Sequence, residues 1–255
     1  MNFLTRKAFL SLCVFSVIGC GGGGGDDEIG EGPFVDNQVA QSESEASPVS
    51  GTVRIMPLGD SITEAEAGRA SYRRWLWNSL EDEGFDVNFV GGQRNAFGGP
   101  NVPSDFDLDH EGHWDYESSD IRFNSPAYAA VHNPDIVLLH IGTNDIIRNR
   151  GIDRTLNEVT TIIDNFRAVN PNVVVLLAEV IPSDRSTGEL AAYGRSLAEL
   201  ALVMSTSDAP IVSVDMRTDF FVSSDTYDGI HPNSSGEQKM ASRWLAALRP
   251  FLSQP

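Results

Sequence analysis

The sequence predicts an α/β fold, a sheet of parallel strands covered by helices. Three observations predict it. Short, almost uninterrupted apolar runs at residues 53–58, 136–141 and 173–178 read as strands buried on both faces. Segments with apolar residues at helical spacing alternate with them. Polar motifs follow the runs at their C-terminal ends, which right-handed crossovers bring to one sheet edge, where open α/β sheets bind ligands.

The elements follow in order. Residues 53–58 form a first strand ending at Gly59. Residues 72–83 have helical spacing, with Tyr72, Trp75, Leu76 and Leu80 on one side and Gly84 as terminator. Residues 87–90 form a second strand, stopped by Gly91-Gly92. Residues 93–125 are rich in Gly, Pro, Asp and His and read mostly as loop; a loop so long is usually functional. A short helix is expected at 127–132, then the third strand at 136–141. Helix 156–169 turns Ile162, Ile163 and Phe166 inward. Strand four spans 173–178, a helix 189–204 and strand five 211–214. Helix 234–248 closes the fold with Met240, Trp244 and Leu248 four residues apart.

The first residues are not fold. Arg6 and Lys7 precede an apolar run, 8–18, that is short for a membrane span. Val17-Ile18-Gly19-Cys20 then resembles a bacterial lipobox, with an ordinary secretory signal as the alternative. The expected division is a signal peptide at 1–19, a lipidated Cys20 with a tether at 20–50, and a catalytic domain at 51–255. A run of five glycines after Cys20 and seven acidic residues without a basic one make 21–50 a poor folding segment. Cys13 leaves with the signal, so no disulfide is expected within the mature monomer. Gly21 after the lipidated Cys fits an outer-membrane address, by resemblance to known lipoproteins, with the domain facing periplasm or medium. A net charge of −18 argues against nucleic acid as partner; the oligomeric state is left open.

Ser61, in Gly59-Asp60-Ser61-Ile62-Thr63, follows strand one, and Asp228-Gly229-Ile230-His231-Pro232 follows strand five. A serine hydroxyl becomes a nucleophile when a base takes its proton, and imidazole does so near neutral pH. An aspartate three residues before the histidine can take the other ring N–H from one tight loop. Gly91 follows strand two and Asn144, in Gly142-Thr143-Asn144-Asp145, follows strand three. With the Ser61 N–H these offer donors for an oxyanion. Gly91 is preferred to Gly92 because it directly follows the strand.

These blocks resemble the SGNH hydrolases, the GDSL-type esterases and lipases, from residue 53 to 248. The resemblance implies a flavodoxin-like three-layer α/β/α sandwich with a five-stranded parallel sheet. It implies a serine esterase with Ser61, Asp228 and His231 as triad, an acyl-enzyme, and an oxyanion hole of Ser61, Gly91 and Asn144. The runs 59–64, Tyr72-Arg73-Arg74 and Phe89-Val90-Gly91, with His110-Glu111-Gly112-His113-Trp114, are similar to the acetylxylan esterase branch, carbohydrate esterase family three. That implies deacetylation of a carbohydrate such as acetylated xylan, with Trp114 and His113 at the substrate. A lysophospholipase or broad short-chain esterase is the alternative, and a non-catalytic carbohydrate-binding lipoprotein the lesser one.

Other polar residues have plainer readings. Asp105, Asp107 and Asp109 resemble the start of a calcium loop, yet the glycine and terminal glutamate positions do not fit. The expectation is no metal and no cofactor, with calcium as the alternative. His140 reads as a satisfied core histidine, and Trp75 and Trp244 as core.

Overall fold

The computed structural model describes residues 51–253; the expected signal peptide at 1–19, Cys20 and the expected tether at 20–50 lie outside the described residues. The element order is β1 (Val53–Gly59), α1 (Ser61–Glu64), α2 (Ser71–Asp82), β2 (Val87–Phe89), β3 (Glu111–Gly112), α3 (Ser118–His132) and β4 (Ile136–His140). Then come α4 (Thr143–Ile147), α5 (Ile152–Val169), β5 (Val174–Glu179), α6 (Thr187–Met204), β6 (Ile211–Asp215), α7 (Val222–Asp225) and α8 (Ser234–Leu248). A 3₁₀ turn at Arg249–Phe251 follows.

The five main strands pair in parallel in the order β2-β1-β4-β5-β6. Order reverses after β1, so the crevice at the C-terminal edge opens beside that strand. Side chains alternate along each strand and feed two cores. Ile55, Leu138, Leu176 and Val214 pack with Tyr72 and Leu76 of α2 and Met240 and Trp244 of α8. Met56, Val137, Leu139 and Leu177 pack with α3, α5 and α6 through Ile121, Ile162 and Tyr193. The sheet is the middle of three layers, as the sequence predicts.

Two corrections concern the 93–125 stretch. It contains β3, a two-residue strand that pairs with Leu58 and Gly59 on the same side of β1 as β2. Periodicity gives no signal for so short an element. And α3 begins at Ser118, nine residues before the expected short helix, with Pro126 in its interior. Proline removes the N–H that would bond the Arg122 carbonyl. The Ser125 hydroxyl donates to that carbonyl instead, at 3.0 Å. Asp120 accepts the Glu117 N–H at 2.9 Å and fixes the helix start.

Trp244 has no exposed surface and joins α8 to α2 and the sheet. Trp244→Ala is expected to lower stability by about 3–5 kcal/mol. The measure is the urea midpoint at unchanged m-value; a shift worth less than about 1 kcal/mol would show that this layer can collapse into the gap.

Candidate active site

The site is built on one turn of helix. Asp60 leaves β1 in extended conformation and caps α1, its Oδ1 accepting the Ile62 N–H at 3.0 Å. Ser61 is the first helical residue, so its N–H has no intrahelical acceptor. The other end of the turn is held by Arg73, which has no exposed surface. Its guanidinium donates to the carbonyls of Thr63 at 3.0 Å, Glu64 at 3.2 Å and Leu108 at 3.0 Å. Burial pulls its pKa down to about 10, so it stays charged at neutral pH. Helical periodicity misses this residue, because its partners are carbonyls of distant segments.

The loop after α7 brings in the second half of the site. His231 Nε2 lies 2.9 Å from Ser61 Oγ. His231 Nδ1 lies 2.7 Å from Asp228 Oδ2. Asp228 Oδ1 accepts the backbone N–H groups of Ile230 at 3.0 Å and His231 at 2.7 Å. One carboxylate therefore shapes the loop and orients the ring. Partial burial acts to raise the Asp228 pKa, but the hydrogen bonds from His231 and Ile230 outweigh it and hold the carboxyl below its ordinary value. Asn233 caps α8 two residues later, accepting from Ser235 and Gly236, so the histidine enters from a fixed helix start.

The expected oxyanion donors, Gly91 and Asn144, are each fixed by their own surroundings. A Cβ on Gly91 would lie 2.1 Å from the His110 carbonyl carbon, so only glycine lets these backbones meet. The Gly92 N–H is spent on the Glu111 carboxylate, whereas the Gly91 N–H has no partner among the described residues. Asn144 Nδ2 donates one hydrogen to the Tyr116 carbonyl at 2.9 Å, which orients the amide and leaves its second hydrogen available. Asp145 accepts from the Ser118 N–H at 2.8 Å and hydroxyl at 2.6 Å, tying α4 to α3. Gly142 turns β4 into α4 at φ 106°, where a Cβ would strike the Tyr193 hydroxyl at 2.3 Å.

The imidazole belongs to a run of parallel rings. Phe97 stacks on Trp114 at 4.8 Å, Trp114 on His231 at 4.8 Å, and Tyr227 on His231 at 5.7 Å. The Arg69 guanidinium caps the Tyr227 ring at 3.8 Å. The Trp114 backbone N–H is held by the buried Glu64 carboxylate. Phe97, Tyr227 and Arg69 carry no periodic or motif signal, and sequence reasoning missed them. Trp114 thus sits against the imidazole. His113 does not come to the Ser61 hydroxyl: its Nε2 lies 2.8 Å from Glu111 and 3.0 Å from the Tyr128 hydroxyl, and its ring stacks on Tyr116. A small recess beside Ser61 is lined by Ile62, Ala65, Tyr227, His231 and Pro232, with Arg69, Ser71 and Glu237 as its polar part.

The acidic run is used within the chain. Asp105 binds Arg74 through both oxygens, Asp107 accepts the Phe89 and Asp109 N–H groups, and Asp109 binds Arg94. Among the described residues no group of three or more His, Cys, Asp or Glu side chains could hold a metal. His140 is only half satisfied: Nε2 accepts the Ile181 N–H at 3.2 Å, while Nδ1 is buried without a partner. Burial lowers its pKa to about 4, so the ring is neutral.

Fold and site together place the chain among the carboxylic ester hydrolases. It belongs to the GDSL-like lipase/acylhydrolase family, whose model matches residues 58–239. It is 29% identical over 232 residues to the multidomain esterase of Ruminococcus flavefaciens, covering 81% of this chain but only 30% of that protein's length. A carbohydrate esterase family 3 structure from Talaromyces cellulolyticus is 30% identical with a TM-score of 0.70, over 78% of this chain and 97% of that one. The family 3 carbohydrate esterase of Clostridium thermocellum is also 30% identical, with a TM-score of 0.67 over 79% and 100% of the two chains.

Asp60 gives the site a titration of its own. Burial, countered by the Ile62 N–H and reinforced by Asp145, raises its pKa to about 7. Its Oδ2 is buried without a protein partner and suits a proton. The folded pKa lies above the unfolded one, so between about pH 4 and 7 the folded state binds more protons and stability falls as pH rises. Asp60→Asn is expected to remove this component. Between pH 5 and 8 the wild type should lose more stability than the variant, by on the order of a few kcal/mol. Equal losses by urea titration at both pH values would mean that Asp60 is already ionised at pH 5.

Proposed function

We propose that the protein is a serine esterase that removes acetyl groups from carbohydrate. The observation that carries the reading is the continuous chain Ser61 Oγ, His231 Nε2, His231 Nδ1, Asp228 Oδ2, with contacts of 2.9 Å and 2.7 Å. As Ser61 attacks the ester carbonyl, His231 takes the hydroxyl proton on Nε2. Asp228 accepts the Nδ1–H, which selects the tautomer and steadies the imidazolium. The Ser61 and Gly91 N–H groups and the second Asn144 amide hydrogen are the donors assigned to the oxyanion in this reading. His231 returns its proton to the departing alcohol, and water hydrolyses the acyl-enzyme by the same steps.

The small recess supports a short acyl group. Beside Ser61 the recess is bounded closely by Ile62, Ala65, Tyr227 and Pro232, which leaves room for a small group only. The carbohydrate reading is supported by the two family 3 carbohydrate esterases at 30% identity.

Ser61→Ala is expected to cut turnover of 4-nitrophenyl acetate by at least about three orders of magnitude, leaving residual stabilisation by the oxyanion donors. Undiminished turnover would remove Ser61 as nucleophile. The same assay with octanoyl esters should show slower turnover than with acetyl esters, and acetate release from acetylated xylan reads the sugar directly. We also propose that Cys20 carries lipid and anchors the domain to the cell envelope, supported by the lipobox-like run before it. Cys20→Ser should move the full chain from the membrane to the soluble fraction; an unchanged membrane fraction would exclude that anchor.

A further inference from the structure

We infer that the outer face of Phe97 is a second binding subsite, which holds a neighbouring sugar ring of an oligomeric substrate beside the reacting ester. The inference rests on the carbohydrate reading above and extends it from one acylated sugar to a chain of them. Trp114 is already placed between two stacked partners, Phe97 and His231, each at 4.8 Å. A sugar has little of its ring left to use. Phe97 ends the run of rings and is 51% exposed, so its outer face is open to a ligand.

The platform is held rigidly. The Phe97 carbonyl accepts the Ala67 N–H at 2.9 Å, and its N–H donates to the Ala65 carbonyl at 3.0 Å. Both partners directly follow α1, the turn that carries Ser61. The ring is therefore registered to the nucleophile through backbone, at no further cost in loop ordering. The flanking residues Arg94 and Asn95 are polar and exposed. An open aromatic face matches the apolar C–H face of a pyranose, and polar side chains close by in sequence suit its hydroxyl rim. A fatty acyl chain would need the apolar surface to continue.

The test compares Phe97→Ala, Phe97→Leu and Phe97→Tyr on acetylated xylo-oligosaccharides and on 4-nitrophenyl acetate. Ring stacking is worth about 0.5–1.5 kcal/mol, and about 1.4 kcal/mol is tenfold. In the Ala and Leu variants the kcat/KM ratio of oligosaccharide to nitrophenyl ester should fall about three- to tenfold, through KM, while Tyr retains the wild-type ratio. An equal loss on both substrates overturns the subsite and makes Phe97 a support of the imidazole. An unchanged ratio, or a loss confined to octanoyl esters, overturns it as well. If wild type hydrolyses nitrophenyl acetate and no acetylated oligosaccharide, the carbohydrate reading fails and the subsite with it. Normal oligosaccharide turnover with an unchanged ratio defeats the subsite alone.

Discussion

The buried guanidinium of Arg73 is the interaction on which the rest of the site depends. A helix of four residues has no intrinsic stability in water, and α1 must nevertheless present Ser61 at a fixed height and angle. Its front is closed by Asp60 and its back by Arg73. Hydrogen bonds to a charged group contribute about 1.5–3 kcal/mol each, so three carbonyl partners offset much of the cost of burying the charge. The third of them, Leu108, leads into β3 and the backbone against which Gly91 packs. The turn that carries Ser61 and the backbone beside Gly91 are thus referred to one cation.

What the sequence made legible follows from burial. The main strands are covered on both faces, so they read as apolar runs, and the motifs stand out because they interrupt those runs at their ends. Ser61, Asn144, Asp228 and His231 were legible for that reason. Arg73 appeared only within the run Tyr72-Arg73-Arg74, and its structural part was hidden because its carbonyl partners lie in other segments. The start of α3 was hidden by Pro126, whose cost is compensated by one serine hydroxyl. The ring run of Phe97, Trp114, His231 and Tyr227 draws on three separate loops, where spacing along the chain has no meaning.

Asp228 and Asp60 are shifted in opposite directions by their surroundings. Asp228 is partly exposed and surrounded by donors, so it stays ionised beside the base. Asp60 is buried with one oxygen unpartnered and is held up to about 7. A protonated Asp60 adds no negative charge next to Ser61. The charge of the site is therefore set by depth of burial as much as by residue type.

The long segment between β2 and α3 has a consequence for how substrate arrives. It is tied down along its length: Gln93 to His110, Asp105 to Arg74, Asp107 to Phe89, Leu108 to Arg73, Glu111 to Gly92, and Trp114 to Glu64. Loops that act as lids are drawn from weakly bonded parts of a structure. This one is bonded like a core element. Admission and release then proceed over a standing surface, with no opening step to wait for, and a substrate is selected by whether it fits that surface as it stands.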